Sequence, residues 1–409
     1  MPPKKRVRRP KGTGGLHQRK DGMWIAQVQL PDGQRYQRGR KRYDDARAEL
    51  RKMQEQLADG ILPNAGTITV ADWMTYWLDT IAKNRVKPGT LATYRSTVKH
   101  QLLPHLGKKQ LAKLTTTDIR RMVQKVGDDY TTRTAQAAFN ILSKALTDAV
   151  NDGKIGVNPC TRMDRPAALS EAREPLDVTQ ARTILVYVAN QPNPTAARWS
   201  LALLTGARQA EVLGLTWDRI NLDTGVMDIQ WQLKRLKLKK GPRPKDVVYP
   251  KGAFDVRATY EFIPIHRTAC LVPTKTVGSK RVIPLVSPVV AVLTALWEEQ
   301  GRPAQGLVFT RQDGAAVLPA DDTDAWKQLC VAAGIVNAAK DAPDQHAARH
   351  TVATLLHEAG VEEAIRMAIL GHTTVTAHRG YAHTSTELTR AALGKLEQKL
   401  ELTAVAEDG

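Results

Sequence analysis

The period at which apolar residues recur changes several times along the chain, and each change marks a different kind of element. Residues 22–30 (Gly-Met-Trp-Ile-Ala-Gln-Val-Gln-Leu) alternate in part and predict a strand. Pro31-Asp32-Gly33 is a turn signal, and residues 34–38 predict the returning strand. Asp44 stands as the N-cap of a helix that runs to Ala58 and is ended by Gly60. Ahead of them, residues 1–15 are basic and rich in Gly and Pro, which predicts a flexible arm. The first sixty-odd residues therefore predict a small sheet and one helix.

A linker at 61–69 holds Pro63 and Gly66, and beyond it the period lengthens to that of a helix. Trp73, Tyr76, Trp77 and Ile81 share helical spacing over residues 70–82. Three more helices are predicted at 90–103, at 117–126 with Thr117 as its cap, and at 131–150, closed near Gly153. Four helices joined by short loops form a compact bundle, and their aromatics are expected in its core. Pro159, Pro166 and Pro175 mark a second linker. From Leu176 the pattern mixes: helices at 179–189 and 196–204, strand-like runs at 225–238 and 281–285, helices again from 288, and an acidic end after Gly394. The expected fold class is α+β multidomain: a sheet-plus-helix domain at 1–66, a helical domain at 67–165, and a mostly α domain with a small sheet at 166–409.

Charge adds a partner class. Lys and Arg total 60 against 41 Asp and Glu, a net +19 over 409 residues. An excess that large predicts a polyanionic partner, nucleic acid or an anionic membrane. No run of eighteen apolar residues exists, so no membrane-spanning helix is expected. No apolar segment follows the basic N-terminal run, so no secretory signal is expected either. Cys160, Cys270 and Cys330 lie far apart, which suits neither a disulfide framework nor a zinc pattern and predicts a reducing, intracellular compartment. The excess is uneven: +9 over residues 1–66, +8 over 67–165 and +2 over 166–409. In the first part Arg19, Lys20, Arg35, Arg38, Arg40, Lys41 and Arg42 are candidates for contacts to a nucleic-acid backbone or groove; a solvated charged face is the alternative. Residues 234–245 hold seven basic residues and no acid. They read equally as an exposed loop and as an excursion lying on phosphates.

Four segments carry candidate chemistry. TGARQAEVLGLTW (205–217) places Arg208 and Glu211 three apart on one helical face, where the carboxylate steadies the guanidinium. TKTVGSKRVIPL (274–285) reads as strand, tight turn and strand, with Lys275 just before the turn. DQHAARHTVATLL (344–356) puts His346 and Arg349 on one helical face. His346 and His350 are spaced like half of a metal site, but no Glu or Cys partner accompanies them, and no metal is expected. LGHTTVTAHRGYAH (370–383) holds His372 and, nine residues on, Tyr381.

Together and in this order, the four segments resemble the boxes of the tyrosine recombinases, the phage-integrase family. The likeness covers residues 176–395. The upstream layout resembles integrases that carry an arm-type DNA-binding domain and a helical core-binding domain. The sequence departs from the family pattern in the long basic stretch between Trp231 and Thr274, and in Ala347-Ala348, where a larger apolar residue is common.

The resemblance implies a site-specific recombinase that cleaves and rejoins DNA through a 3′-phosphotyrosyl intermediate, integrating or excising a mobile element such as a phage. Tyr381 is then the nucleophile and His346 its base. Lys275 is the acid for the departing 5′ oxygen, and Arg208 and Arg349 hold the non-bridging oxygens. His372 donates a hydrogen bond to the phosphate, and Glu211 is the support residue. A planar guanidinium donates twice to a phosphate, which suits charge building on a phosphorane. No cofactor is implied. The implied partners are double-stranded DNA at attachment sites, three further copies in a homotetramer, and a host bending factor or an excision factor, with no membrane. The implied setting is the nucleoid in a bacterial cytoplasm. Competing expectations are a type IB topoisomerase, a Xer-like resolvase, and a DNA-binding regulator on an inactive scaffold.

Overall fold

The structure is a computed structural model that describes residues 14–30, 35–58, 68–169, 175–242, 244, 247–274, 279–336, 342–371 and 386–402. The arm at 1–13, the Pro31-Asp32-Gly33 turn, Gly60, most of the first linker, Lys275, His372, Tyr381 and the acidic end lie outside these residues. The chain divides into two compact units, Met1–Glu171 and Ala172–Gly409.

In the first unit, β1 (Gly15–Gln18), β2 (Trp24–Gln29) and β3 (Arg35–Arg40) form an antiparallel sheet in that order. β1 falls where a flexible arm was expected to end. Its residues are too polar to show an apolar period, and it is held by pairing Leu16 with Ala26. Helix α1 (Tyr43–Ala58) packs Met53 against Ala26 and Val28. Asp44 is not its cap. It sits with Asp45 in the first turn, where carboxylates complement the N-terminal end of the helix dipole.

Four helical stretches follow in the same unit. They are α2 (residues 70–85, π-helical at Trp77–Ala82), α3 (residues 88–106, π-helical at Val98–Leu102), α4 (Thr116–Asp129) and α5 (Thr132–Asn151). The cap of α4 is Thr115 rather than Thr117. Its hydroxyl accepts from the Asp118 amide, and the Asp118 carboxylate accepts in return from the Thr115 amide, a reciprocal pair that needs Asp at the third helical position. Trp73 and Trp77 are buried among Leu102, Ile119, Met122, Leu142 and Leu146, as expected of core aromatics. Tyr76 is 47% exposed, because its position falls outside the stripe that faces α5. The Trp77 indole donates to the buried Asp148 carboxylate at 2.7 Å, and Arg85 satisfies the other oxygen at 2.6 Å.

The second unit has its largest core around α7 (Asn193–Thr205), buried from Ala196 onward. It is flanked by α6 (Val178–Ala189) and α8 (Gln209–Leu213) in sequence, and packs on α9 (Ser287–Glu299), α11 (His346–Glu358) and α13 (Thr386–Lys399). Helices α10 (Pro319–Ala332) and α12 (Glu363–Leu370) complete it. Two small sheets lie beside the helices. One orders β4 (Ile220–Asn221), β5 (Val226–Ile229) and β9 (Arg281–Pro284). The other orders β6 (Trp231–Arg235), β8 (Ala269–Pro273) and β7 (Ile263–His266).

This topology corrects the strand–turn–strand reading of residues 274–285. β8 and β9 belong to different sheets: β8 is the centre of its own, with Ala269–Val272 all buried, whereas β9 pairs with β5, Ile229 opposite Arg281. The single strand-like run at 225–238 is likewise two strands, one in each sheet. Residues 231–274 thus form a lobe inserted between neighbouring strands of the first sheet. Leu236, Leu238, Phe254, Phe262, Cys270 and Val272 give it a core of its own. Much of the basic run is therefore ordered. Lys234 and Arg235 belong to β6, Leu236 and Leu238 are buried, and Lys239 donates to the Gly252 carbonyl. Among the described residues no helix is long and apolar enough to cross a membrane.

Candidate active site

The site begins where α7 stops. Gly206 ends the helix with φ +61°, and a Cβ there would meet Leu370 Cδ2 at 2.8 Å, so glycine suits both the turn and the packing. The turn leaves Arg208 extended as the N-cap just before α8 and sets Glu211 three residues on. Glu211 Oε1 accepts from Arg208 Nη1 at 2.7 Å, and Oε2 accepts from the Arg208 amide at 3.1 Å. The spacing read from the sequence is realised, and the carboxylate is 3% exposed.

A third group was not read from the sequence. Arg281, the first residue of β9, donates from Nη2 to Glu211 Oε2 at 2.9 Å. The two partners are 70 residues apart, and only the β5–β9 register brings them together, so no local period signals the pair. Burial pushes the Glu211 carboxyl up, but Arg281 and Arg208 beside it hold it below its usual range.

Arg349, one turn into α11, is buried. It donates from Nη1 to the Gly206 carbonyl at 2.8 Å and from Nη2 to the Leu370 carbonyl. Burial, with Arg208 and Arg281 as like charges nearby, lowers it to about 9; Glu211 opposes that fall. It is therefore still a cation at neutral pH, and an unusually poorly solvated one. His346 opens α11, is exposed, and stands edge-on to His350 with ring centroids 4.9 Å apart. Behind it Gln345 donates to the buried Asp322 carboxylate at 2.6 Å, which also takes both arms of Arg198 at 2.9 and 2.7 Å. Arg208, Gln209, His346 and Arg349 line one small cavity of about 120 Å³.

The end of α12 closes the arrangement. Three successive carbonyls there each accept from a different arginine: Ile369 from Arg281, Leu370 from Arg349 and Gly371 from Arg208. A helix C-terminus presents unpaired carbonyls and a negative dipole end, so it suits cations. Arg198, Arg208, Arg281 and Arg349 against Glu211, Asp322 and Asp344 leave a formal +1 in and behind the cavity, a field that favours an anion. Lys275, His372 and Tyr381 fall outside the described residues. By sequence, His372 directly follows Gly371. Among the described residues no group of three His, Cys, Asp or Glu gathers as metal ligands.

The seven proposed nucleic-acid contacts divide. Arg38 and Arg40 lie on the face of the sheet that α1 covers, and both reach Glu49 there, at 3.4 and 2.5 Å. Arg35 is exposed and projects from the opposite face, Lys41 and Arg42 follow β3, and Arg19 and Lys20 sit at the turn between β1 and β2, with Arg19 near Asp21.

Two family models match in chain order: the phage integrase N-terminal SAM-like domain over residues 69–126, and the phage integrase family over residues 257–387. The second spans the lysine, His-x-x-Arg-His and tyrosine segments. The chain belongs to the phage-integrase family of tyrosine recombinases. As a tyrosine recombinase it is 26% identical to an integrase of Saccharopolyspora erythraea over 424 residues, covering 93% of this chain and 94% of the relative. It is 29% identical to an integrase of Streptomyces ambofaciens, covering 89% and 90%. In fold it is similar to the Tn1549 transposon integrase in complex with transposon right end DNA, with a TM-score of 0.60 at 19% identity over 80% of this chain and 99% of that one. It is similar also to a lambda integrase tetramer bound to a Holliday junction, with a TM-score of 0.54 at 17% identity over 92% and 98%. The recombinase fold is thus α+β, and its first arginine segment lies upstream of the matched catalytic range.

Proposed function

We propose that this recombinase cuts and rejoins DNA at specific attachment sites through a 3′-phosphotyrosyl intermediate on Tyr381, integrating or excising a mobile element. The observation that carries this reading is the convergence of Arg208 and Arg349 on one cavity, braced by Glu211, at the point where the chain enters the segment holding His372 and Tyr381. The Tyr381 oxygen attacks phosphorus and gives its proton to His346. The 5′ oxygen leaves and takes a proton from Lys275. The two guanidiniums bear the charge that builds on the non-bridging oxygens, and His372 adds a hydrogen bond to the phosphate. The phosphotyrosine keeps the energy of the broken bond, so a 5′-hydroxyl from a partner strand rejoins it without ATP.

The partners follow from the relatives. The solved neighbours are bound to DNA, and one is a tetramer, which supports duplex DNA and a homotetramer here. An accessory bending or excision factor and action at the nucleoid of a bacterial host complete the reading. Residues 1–66 take the arm-site role, with Arg35, Lys41, Arg42, Arg19 and Lys20 the basic groups least committed to α1. Residues 67–165 take the core-site role. The inserted lobe favours contact with the DNA backbone: residues 231–274 hold ten Lys or Arg against three Asp or Glu, a net +7, while the remainder of 166–409 holds eighteen against twenty-three, a net −5.

The test is a nicked duplex taken from the DNA flanking the coding region, in which cleavage releases the short strand and traps the protein. The native chain is expected to form a covalent adduct, and Tyr381→Phe to retard the duplex without forming one. An adduct on Tyr381→Phe would remove Tyr381 from its role. Retardation by the native chain with no adduct would favour the inactive-scaffold alternative.

A further inference from the structure

Arg281 is buried, with 7% of its side chain exposed, and each of its three nitrogens is used. Nε donates to the Ile369 carbonyl at 2.7 Å, Nη1 to the Ser279 carbonyl at 2.9 Å and Nη2 to Glu211 at 2.9 Å. Ser279 stands four residues past Lys275, and Ile369 stands three residues before His372. Gly371 is pressed against the same side chain: a Cβ there would lie 2.8 Å from Arg281 Nη1. One guanidinium therefore ties together the chain just past Lys275, the chain just before His372, and the carboxylate that holds Arg208.

We infer that Arg281 is a positioning residue of the recombinase, a clamp that ties Ser279, four residues past Lys275, and Ile369, three residues before His372, to Glu211 and through Glu211 aims Arg208. This rests on the site proposed above. The clamp needs arginine. Its planar fork reaches three acceptors in three directions, whereas a lysine ammonium is a compact point charge. Burying a charged pair does less for stability than apolar packing of the same volume, so a clamp of this kind is better explained by the geometry it holds than by the stability it adds. Burial lowers the Arg281 cation, and Glu211 opposes that, so the two groups maintain each other's charge. Glu211 is faced by Arg208 from the N-cap of α8, Arg281 from β9 and Arg349 from α11. With Arg281 gone, two cations remain to keep it ionised, and its pKa rises.

The experiment measures single-turnover adduct formation on the nicked duplex against pH for the full-length native chain, Arg281→Met, Arg281→Lys and Tyr381→Phe. Arg281→Met is expected to bind the duplex as the native chain does but to form adduct about 10²-fold more slowly, the scale of a small misplacement of reacting groups. The lowest-pH step of its acidic limb, the one that Glu211 governs, should move to higher pH, because the acid that aims Arg208 now protonates sooner. Arg281→Lys restores the charge facing Glu211 but not the fork. It should return that step to its native position while the rate stays roughly tenfold or more below native. A native rate in Arg281→Met overturns the inference, and so does a slower rate with that step unmoved. If Arg281→Met melts below the assay temperature, Arg281→Lys decides alone, and a native rate there overturns the clamp. An adduct on Tyr381→Phe sinks the underlying site instead. Loss of adduct in Tyr381→Phe beside a native rate in Arg281→Met sinks only the clamp.

Discussion

Glu211→Gln removes one charge from the centre of the site and keeps its shape. The carboxylate is 3% exposed and accepts from Arg208 Nη1 at 2.7 Å, the Arg208 amide at 3.1 Å and Arg281 Nη2 at 2.9 Å. A glutamine offers one acceptor oxygen and turns its NH₂ toward a donor, so at least one contact becomes repulsive. Arg208, Arg281 and Arg349 are then left without an anion among them. Breaking a buried pair by removing one partner costs about 3–5 kcal/mol. For a unit of this size each kcal/mol lowers Tm by roughly 2–4 °C, so a fall of roughly 6–20 °C is expected at neutral pH. Scanning calorimetry of the full chain, following the transition of the second unit, measures it. The pH dependence adds a second check. Arg281 and Arg208 hold the folded-state pKa of Glu211 below its unfolded value of about 4.3. The stabilisation is therefore complete above the unfolded value and is lost as pH falls through the folded one. The gap between native and Gln proteins should stay constant near neutrality and close in acid. A Gln variant melting within about 2 °C of native at neutral pH, or a gap that widens on acidification, would refute the reasoning.

Two further outcomes are expected. Gly371→Ala puts a Cβ at φ +62° and 2.8 Å from Arg281, at a backbone cost of about 1–2 kcal/mol, so Tm should fall roughly 2–8 °C and adduct formation should slow with duplex binding kept; native values for both would contradict the packing described. Replacing the exposed Lys240, Arg257 and Arg267 of the inserted lobe together by glutamine should lower the slope of log affinity against log salt by up to roughly 2–3, near one per lost phosphate contact. An unchanged slope would take the lobe off the DNA.

What was legible in the sequence was what is local. Arg208 and Glu211 lie three apart on one turn, and the structure joins them as that spacing predicts. The Trp73 and Trp77 stripe faced the bundle core for the same reason. What is non-local was not legible. Arg281 meets Glu211 only because β9 pairs with β5 across an inserted lobe, and no helical or strand period encodes a register spanning such an insertion. The same insertion made β8 and β9 look like one hairpin. Thr115, Thr116 and Thr117 are equal as caps by type, and the choice falls to Asp118, whose reach back to the Thr115 amide completes the pair. Arg38 and Arg40 looked available for DNA because Glu49 is distant in sequence; α1 brings it onto their face of the sheet.

The central claim is that Tyr381 becomes joined to a DNA 3′ end beside the Arg208–Glu211–Arg349 site. Its most direct test is to digest the trapped adduct with protease and nuclease and to identify the modified peptide by mass spectrometry. The expected product is a nucleotide linked through its 3′ phosphate to Tyr381, with a free 5′-hydroxyl on the released strand. A 5′-linked nucleotide, or a linkage to any other residue, would contradict the account.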